Sequence, residues 1–130
     1  MLHPKFLIAD DSEAKQFLLE GFLKRSHWNV KILKATSTDE AKRIVDQHPD
    51  IAFAFVDYEM PSENGPAVIA YLKKVNPSAR IALVSASDAD RYESEAYQAG
   101  AEAFICTTRE ERDVLHAVST LLQQWSAKEK

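Results

Sequence analysis

An α/β domain built on a doubly wound parallel sheet is what this sequence predicts, and three observations carry the prediction. Short apolar runs alternate with amphipathic segments along the whole chain. The runs at 51–56 and 80–84 are apolar nearly throughout, as strands buried on both faces are. Polar residues gather where the runs end, on their carboxyl side. With 130 residues, 45% of them hydrophobic, one core can be buried without staples. The expectation is therefore one domain, with a core over about residues 4–126 and a polar, frayed tail at 127–130.

The first strand is Lys5–Ala9. Asp10, Asp11, Ser12 and Glu13 then supply cap candidates and negative charge for a helix starting near Ser12, with apolar positions Ala14, Phe17, Leu18 and Phe22. Turn signals at 26–29 end it, and Val30–Ala35 is the second strand. Ser37 and Glu40 have capping-box spacing before a helix whose stripe is Ala41, Ile44 and Val45, stopped at His48-Pro49. Strand three is Ile51–Val56. Gly65-Pro66 opens the third helix, with proline where its missing N–H costs nothing, and Val68, Ile69, Leu72 and Val75 form its buried stripe.

Arg80–Val84 is the fourth strand, running into Ser85, Ala86, Ser87 and Asp88. The fourth helix has only Ala89, Tyr92, Ala96 and Ala99 to bury and ends at Gly100, so it is expected to dock loosely. Strand five is Ala103–Cys106. Thr108 and Glu111 are spaced as a second capping box, ahead of the stripe Val114, Val118, Leu121, Leu122 and Trp125. Five such strand–helix pairs imply right-handed crossovers and a three-layer sandwich. The flavodoxin-like (βα)5 order 2-1-3-4-5 makes strands one and three neighbours at the switch point, where open α/β sheets bind ligands. Asp10, Asp11 and Asp57 would meet there, with Ser85 and Thr107 on the same edge.

Three carboxylates in one crevice repel one another, and a hard divalent cation is the better remedy than a shared proton. Mg²⁺ prefers oxygen ligands and is commonly held by one or two carboxylates plus phosphate oxygens. Beside such a metal Asp57 can act as a nucleophile toward a phosphoryl group, giving an aspartyl phosphate. Taken singly, Asp10 and Asp11 also read as helix caps and Asp57 as a turn former. Other chemistry is excluded or weak. Three glycines, at 21, 65 and 100, cannot write a phosphate loop or a dinucleotide fingerprint. The histidines at 3, 27, 48 and 116 lack metal-site spacing. A net charge of −4 with scattered Lys and Arg argues against a nucleic-acid surface. The lone Cys106 permits no internal disulfide and reads as a small buried hydrophobe. The first apolar stretch is too short for a signal peptide or membrane span, so a cytoplasmic protein is expected.

On these residues the chain resembles the receiver domain of two-component response regulators, in the single-domain chemotaxis-regulator form, over nearly its whole length. The matching motifs are Asp10-Asp11 after strand one, Asp57-x-x-Met60-Pro61-x-x-x-Gly65, Ser85-Ala86, and Gly100-Ala101-x-x-Phe104-Ile105. The resemblance implies that Asp57 accepts a phosphoryl group. It implies Mg²⁺ on Asp11, Asp57 and the Glu59 backbone carbonyl, with Asp10 acting through water. Ser85 would be the switch hydroxyl and Phe104 the aromatic that rotates with it. The implied partners are a sensor histidine kinase or histidine phosphotransfer protein upstream and a protein reached through the helix-four, strand-five, helix-five face downstream. No output module is expected after Trp125, and catalysis would extend at most to the domain's own phosphorylation and dephosphorylation.

One departure stands out: Thr107 occupies the position of the family's strand-five lysine. Losing a preorganised charged donor typically costs about 3 to 4 kcal/mol of transition-state stabilisation. The sequence thus predicts slow phosphorylation, weak switching and a gain from Thr107→Lys, unless a cation such as Arg109 reaches the site. An interaction module of the same fold that phosphate does not switch is the alternative. An aspartyl-phosphate phosphatase of the haloacid-dehalogenase type is remote, because it wants Asp-x-Asp-x-Thr where this chain has Asp10-Asp11-Ser12-Glu13.

Overall fold

A computed structural model describes residues 3–87 and 89–129. In chain order the elements are β1 (Lys5–Ala9), α1 (Glu13–Arg25), β2 (Lys31–Ala35), α2 (Thr38–Gln47), β3 (Ile51–Val56), α3 (Gly65–Val75), β4 (Arg80–Ser85), α4 (Asp90–Ala99), β5 (Ala103–Cys106) and α5 (Glu111–Glu129). The strands form one parallel sheet in the order β2-β1-β3-β4-β5, as predicted. Asp88, expected to end the β4 segment, lies outside the described residues.

Successive strand residues face opposite sides of the sheet, which divides the core in two. Leu7, Ala9, Ala54 and Val56 pack with α2, α3 and α4 through Val45, Val68, Ile69, Leu72, Tyr92 and Ala96. Phe6, Ile8, Phe53 and Phe55 pack with α1 and α5 through Leu19, Phe22, Leu23, Val118, Leu122 and Trp125. The sheet is covered on both faces, which is why β1, β3 and β4 read as unbroken apolar runs.

Three predicted details are corrected. In α1, Ala14 is exposed and Phe17 is 77% exposed, while Gln16, Leu19, Phe22 and Leu23 face the core. The helix carries two overlapping apolar stripes. The inward one wins because Gln16 Nε2 donates to the Asp10 and Ala35 carbonyls at 2.8 and 3.0 Å, bonds no apolar side chain can make. In α5 the Thr108–Glu111 capping box does not form. The first turn starts at Glu111, the Glu110 carbonyl accepts from Asp113 and Val114, and the Thr108 hydroxyl lies 3.1 Å from Cys106 Sγ instead. Helix α5 also continues to Glu129, where a frayed tail was expected from residue 127.

Elsewhere the caps behave as read. The Ser37 hydroxyl accepts from Glu40 N at 3.1 Å, while Glu40 reaches back to Thr36 N at 2.7 Å. Gly100 ends α4 with φ of 118°, in the left-handed region that favours glycine.

Candidate acidic site at the carboxyl edge of the sheet

The sheet ladder runs one residue past the strands and so fixes the backbone of the site. Asp10 N donates to the Ala35 carbonyl at 2.9 Å, Asp57 N to the Ala9 carbonyl at 2.8 Å, and Thr107 N to the Ser85 carbonyl at 2.8 Å. Asp10 and Asp57 are thereby held on adjacent strands at the switch point. A cleft of about 350 Å³ opens above them, lined by Asp10, Asp11, Ser12, Lys15, Asp57, Glu59, Ser85, Ala86 and Ser87. One carboxylate oxygen each from Asp10, Asp11 and Asp57 lies within 4.8 Å of the others. Asp10 and Asp57 are buried and Asp11 is exposed.

Gly65 is part of this construction. Its N–H donates to the Tyr58 carbonyl at 2.6 Å, and a Cβ there would stand 1.9 Å from the Asp57 carbonyl oxygen. Only glycine lets the start of α3 close over the Asp57 peptide, which explains the spacing Asp57 to Gly65.

The charges balance in an unanticipated way. Lys15, on the first turn of α1, stands with Nζ 3.0 Å from Asp57 Oδ1, 3.0 Å from Asp10 Oδ2 and 2.8 Å from the Val84 carbonyl. Its side chain is only 13% exposed. Asp10 Oδ1 accepts from Ser12 N at 2.9 Å, but Asp10 Oδ2 is buried and has no aligned hydrogen-bond donor; Lys15 meets it by proximity alone. Burial pushes the Asp57 carboxyl above its ordinary range, Lys15 opposes this, and Asp10 adds to it. An under-satisfied buried carboxylate oxygen beside two further carboxylates fits a hard, oxygen-seeking cation.

Of the residues singled out in the sequence, Asp10, Asp11, Asp57, Glu59 and Ser85 come together. Ser85 Oγ accepts from Ser87 N at 3.1 Å. Thr107 and Phe104 do not line the cleft. The Thr107 hydroxyl donates to the Ser85 carbonyl at 3.3 Å, and Phe104 is half-buried on the α4–β5–α5 face. Arg109 lines a separate crevice with Asp90, Glu93 and Asp113. The Glu59 carboxylate turns to helix α4, accepting from the Tyr92 hydroxyl at 2.8 Å, and Tyr92 stacks on Tyr58 with ring centroids 3.6 Å apart.

Lys15 and Gln16 escaped the sequence reading. The available signal was a lysine at N3, three residues past the Ser12 cap, where the helix dipole disfavours positive charge. A cation placed against the dipole and next to an acidic pair has a partner to find.

Fold and site together define a doubly wound α/β domain with a buried carboxylate presented in an acidic cleft at the switch point. A family model described as the response regulator receiver domain matches residues 6–119. The chain belongs to the response regulator receiver domain family, and hence to the two-component systems. It is 26% identical over 115 residues to the chemotaxis protein CheY of Thermotoga maritima, covering 88% of this chain and 94% of the relative. It is 25% identical over 118 residues to CheY of Bacillus subtilis, covering 91% and 97%. Two solved structures share the fold. One is the CheX–CheY–BeF3–Mg complex of Borrelia burgdorferi, with TM-score 0.78, 23% identity and coverage of 93% and 90%. The other is the phosphorylated cyanobacterial phytochrome response regulator RcpA, with TM-score 0.82, 16% identity and coverage of 97% and 96%.

Proposed function

We propose that this domain takes a phosphoryl group on Asp57 from a histidine kinase or histidine phosphotransfer protein and signals by protein contact. What carries the reading is Asp57 itself: a buried carboxylate at the end of β3, sharing its cleft with Asp10, Asp11 and the Ser85 hydroxyl. An Asp57 carboxylate oxygen attacks phosphorus, an O–P bond forms, the donor's P–N bond breaks, and the bonding pair leaves with the imidazole nitrogen. Ser85 then donates a hydrogen bond to a phosphoryl oxygen. Asp11, Asp57 and the Glu59 backbone carbonyl would hold Mg²⁺, with Asp10 acting through water, and the ion would supply positive charge to offset that of the phosphoryl group. Relatives whose structures hold beryllofluoride with Mg²⁺, or are phosphorylated, support this assignment.

The receiver domain catalyses its own phosphorylation and hydrolysis, and α4, β5 and α5 form its output face. Phe104 on that face responds to the Ser85 end of β4, its register neighbour being Leu83. The test is incubation with acetyl phosphate and Mg²⁺ followed by intact-mass measurement. Wild type should gain one phosphoryl group and Asp57→Asn none. A wild type that stays unmodified, with acetyl phosphate and with a panel of histidine phosphotransfer proteins, would favour an interaction module that phosphate does not switch.

A further inference from the structure

Thr107 leaves β5 without a cation, yet the acidic cleft has one, delivered from the opposite side of the sheet edge. We propose that Lys15 is the residue that bonds the transferred phosphoryl group, supplying from α1 the positive charge that Thr107 does not; the proposal rests on Asp57 being the phosphoacceptor.

The geometry gives three reasons. First, the position of Nζ: it bonds Asp57 Oδ1 at 3.0 Å and is held by the Val84 carbonyl at 2.8 Å, the residue directly before Ser85. Lys15 therefore reaches from α1 across β1 and β3 to the end of β4, and lies between the nucleophile and the switch hydroxyl, where a phosphoryl group on Asp57 places its oxygens. Second, the placement is built. The Ser12 hydroxyl accepts from Lys15 N at 3.1 Å, and Gln16, the next residue, locks the helix to the Asp10 and Ala35 carbonyls. Those bonds fix the rotation of α1, so that Lys15 projects over the strand ends with its side chain 13% exposed. Third, no competing cation lines the cleft among the described residues; Arg109 is in the crevice with Asp90 and Glu93.

An ammonium group has three N–H donors in rotatable positions. Nζ stands within 3.0 Å of Asp57 Oδ1, Val84 O and Asp10 Oδ2. Phosphorylation removes the charge of the Asp57 carboxylate, so the donor it held passes to a phosphoryl oxygen. The step balances: the new O–P bond forms on Asp57, the leaving group departs with the bonding pair, and Lys15 keeps its proton, donating a charge-assisted hydrogen bond to a non-bridging oxygen. Because α1 rather than β5 carries the cation, phosphorylation pulls on α1 and β4 together. The β5 edge is reached only through the Ser85 carbonyl that Thr107 bonds.

The experiment compares wild type, Lys15→Met, Thr107→Lys and Lys15→Met/Thr107→Lys by two readouts. These are phosphate uptake from acetyl phosphate with Mg²⁺, read by intact mass, and capture of beryllofluoride with Mg²⁺, read by ¹⁹F NMR. Lys15→Met should slow uptake and weaken beryllofluoride capture by about 100-fold. Thr107→Lys should restore most of both in the Lys15→Met background, and should change wild type by less than about threefold, since that protein already has its cation. Rescue from a different strand separates a phosphoryl contact from a merely structural lysine.

Equal capture by wild type and Lys15→Met overturns the proposal while leaving Asp57 as phosphoacceptor. So does tenfold or greater gain from Thr107→Lys in wild type, a comparison that does not require Lys15→Met to fold. Tighter Mg²⁺ binding by Lys15→Met with undiminished beryllofluoride capture overturns it in favour of Lys15 as a resident substitute for the metal. Wild type that captures neither phosphate nor beryllofluoride overturns the phosphoacceptor reading and this proposal with it.

Discussion

Gly65 stands so close to Asp57 that its missing side chain belongs to the site. A methyl group there would meet the Asp57 carbonyl oxygen at 1.9 Å and the Val56 side chain at 3.1 Å, and neither backbone nor a buried valine yields easily. Gly65→Ala is expected to cost about 3 kcal/mol, read as a lower urea midpoint, and to slow phosphate uptake by displacing Asp57. Asp57 itself works against stability. Its carboxyl is raised by burial, so ionisation is harder in the folded state, and the resulting cost is fully present above the folded pKa, shrinks as the pH falls toward the unfolded value and is gone below it. Asp57→Asn removes that cost and should raise the melting temperature by a few degrees at neutral pH in metal-free buffer, with the gain vanishing in acid. Asp11, exposed at the rim of the cleft, adds a carboxylate to the acidic cluster rather than packing. Asp11→Asn should therefore weaken Mg²⁺ binding by tenfold or more in titration calorimetry, with little change in the metal-free melting temperature.

Among the elements, α4 is the one whose attachment differs most from its neighbours. It buries only Tyr92 and Ala96, against five side chains of α5 at Val114, Val118, Leu121, Leu122 and Trp125. What holds its first half is polar and aromatic: Tyr92 stacks on Tyr58 and donates to Glu59, and the Tyr58 hydroxyl donates to Glu95, which raises the Tyr58 pKa. These contacts join α4 to the two residues directly after Asp57, so a change at Asp57 has a physical route to α4. Amide exchange in residues 90–99 is expected to run at least tenfold faster than in 111–125. Tyr92→Ala should speed it further and leave α5 unchanged. Protection of α4 equal to that of α5 would remove the basis for treating it as the responsive element.

For the whole molecule, the two ends of the sheet have separate jobs. Trp125, Phe6, Phe53 and Trp28 form one aromatic cluster, with Trp125 stacked on Phe53 at 5.4 Å and Trp28 edge-on to it at 4.8 Å. Phe53 precedes Asp57 by four residues on an extended path, about 13 Å away. Trp125→Ala should cost about 3 kcal/mol or more and lower the melting temperature by roughly 10 °C, while the folded fraction still takes phosphate on Asp57 at the wild-type rate. The same separation means that indole fluorescence reports unfolding rather than occupancy of the cleft, so calorimetry is the proper measure of Mg²⁺.

The sheet order and all five strands were legible in the sequence, because strands buried on both faces must be apolar runs and crossovers between them leave few topologies. Asp10, Asp11, Asp57 and Ser85 were legible for the same reason: a polar residue ending such a run has only the carboxyl edge to occupy. The inward face of α1 was not, since Phe17 and Leu19 are equally apolar and the choice between them was made by the hydrogen bonds of Gln16 to the carbonyls of Asp10, just past β1, and Ala35, at the end of β2. Nor was the second cap, where Thr108 and Glu111 have the right spacing but the helix starts from Glu110. Lys15 belongs with these. Forty-two residues separate it from Asp57, and only the packing of α1 across the sheet brings the ammonium group to within 3.0 Å of that carboxylate. Local pattern determines which residues can be strands, caps and ligands; which charge neutralises which is decided by the rotation of a helix, and that is a property of the folded chain alone.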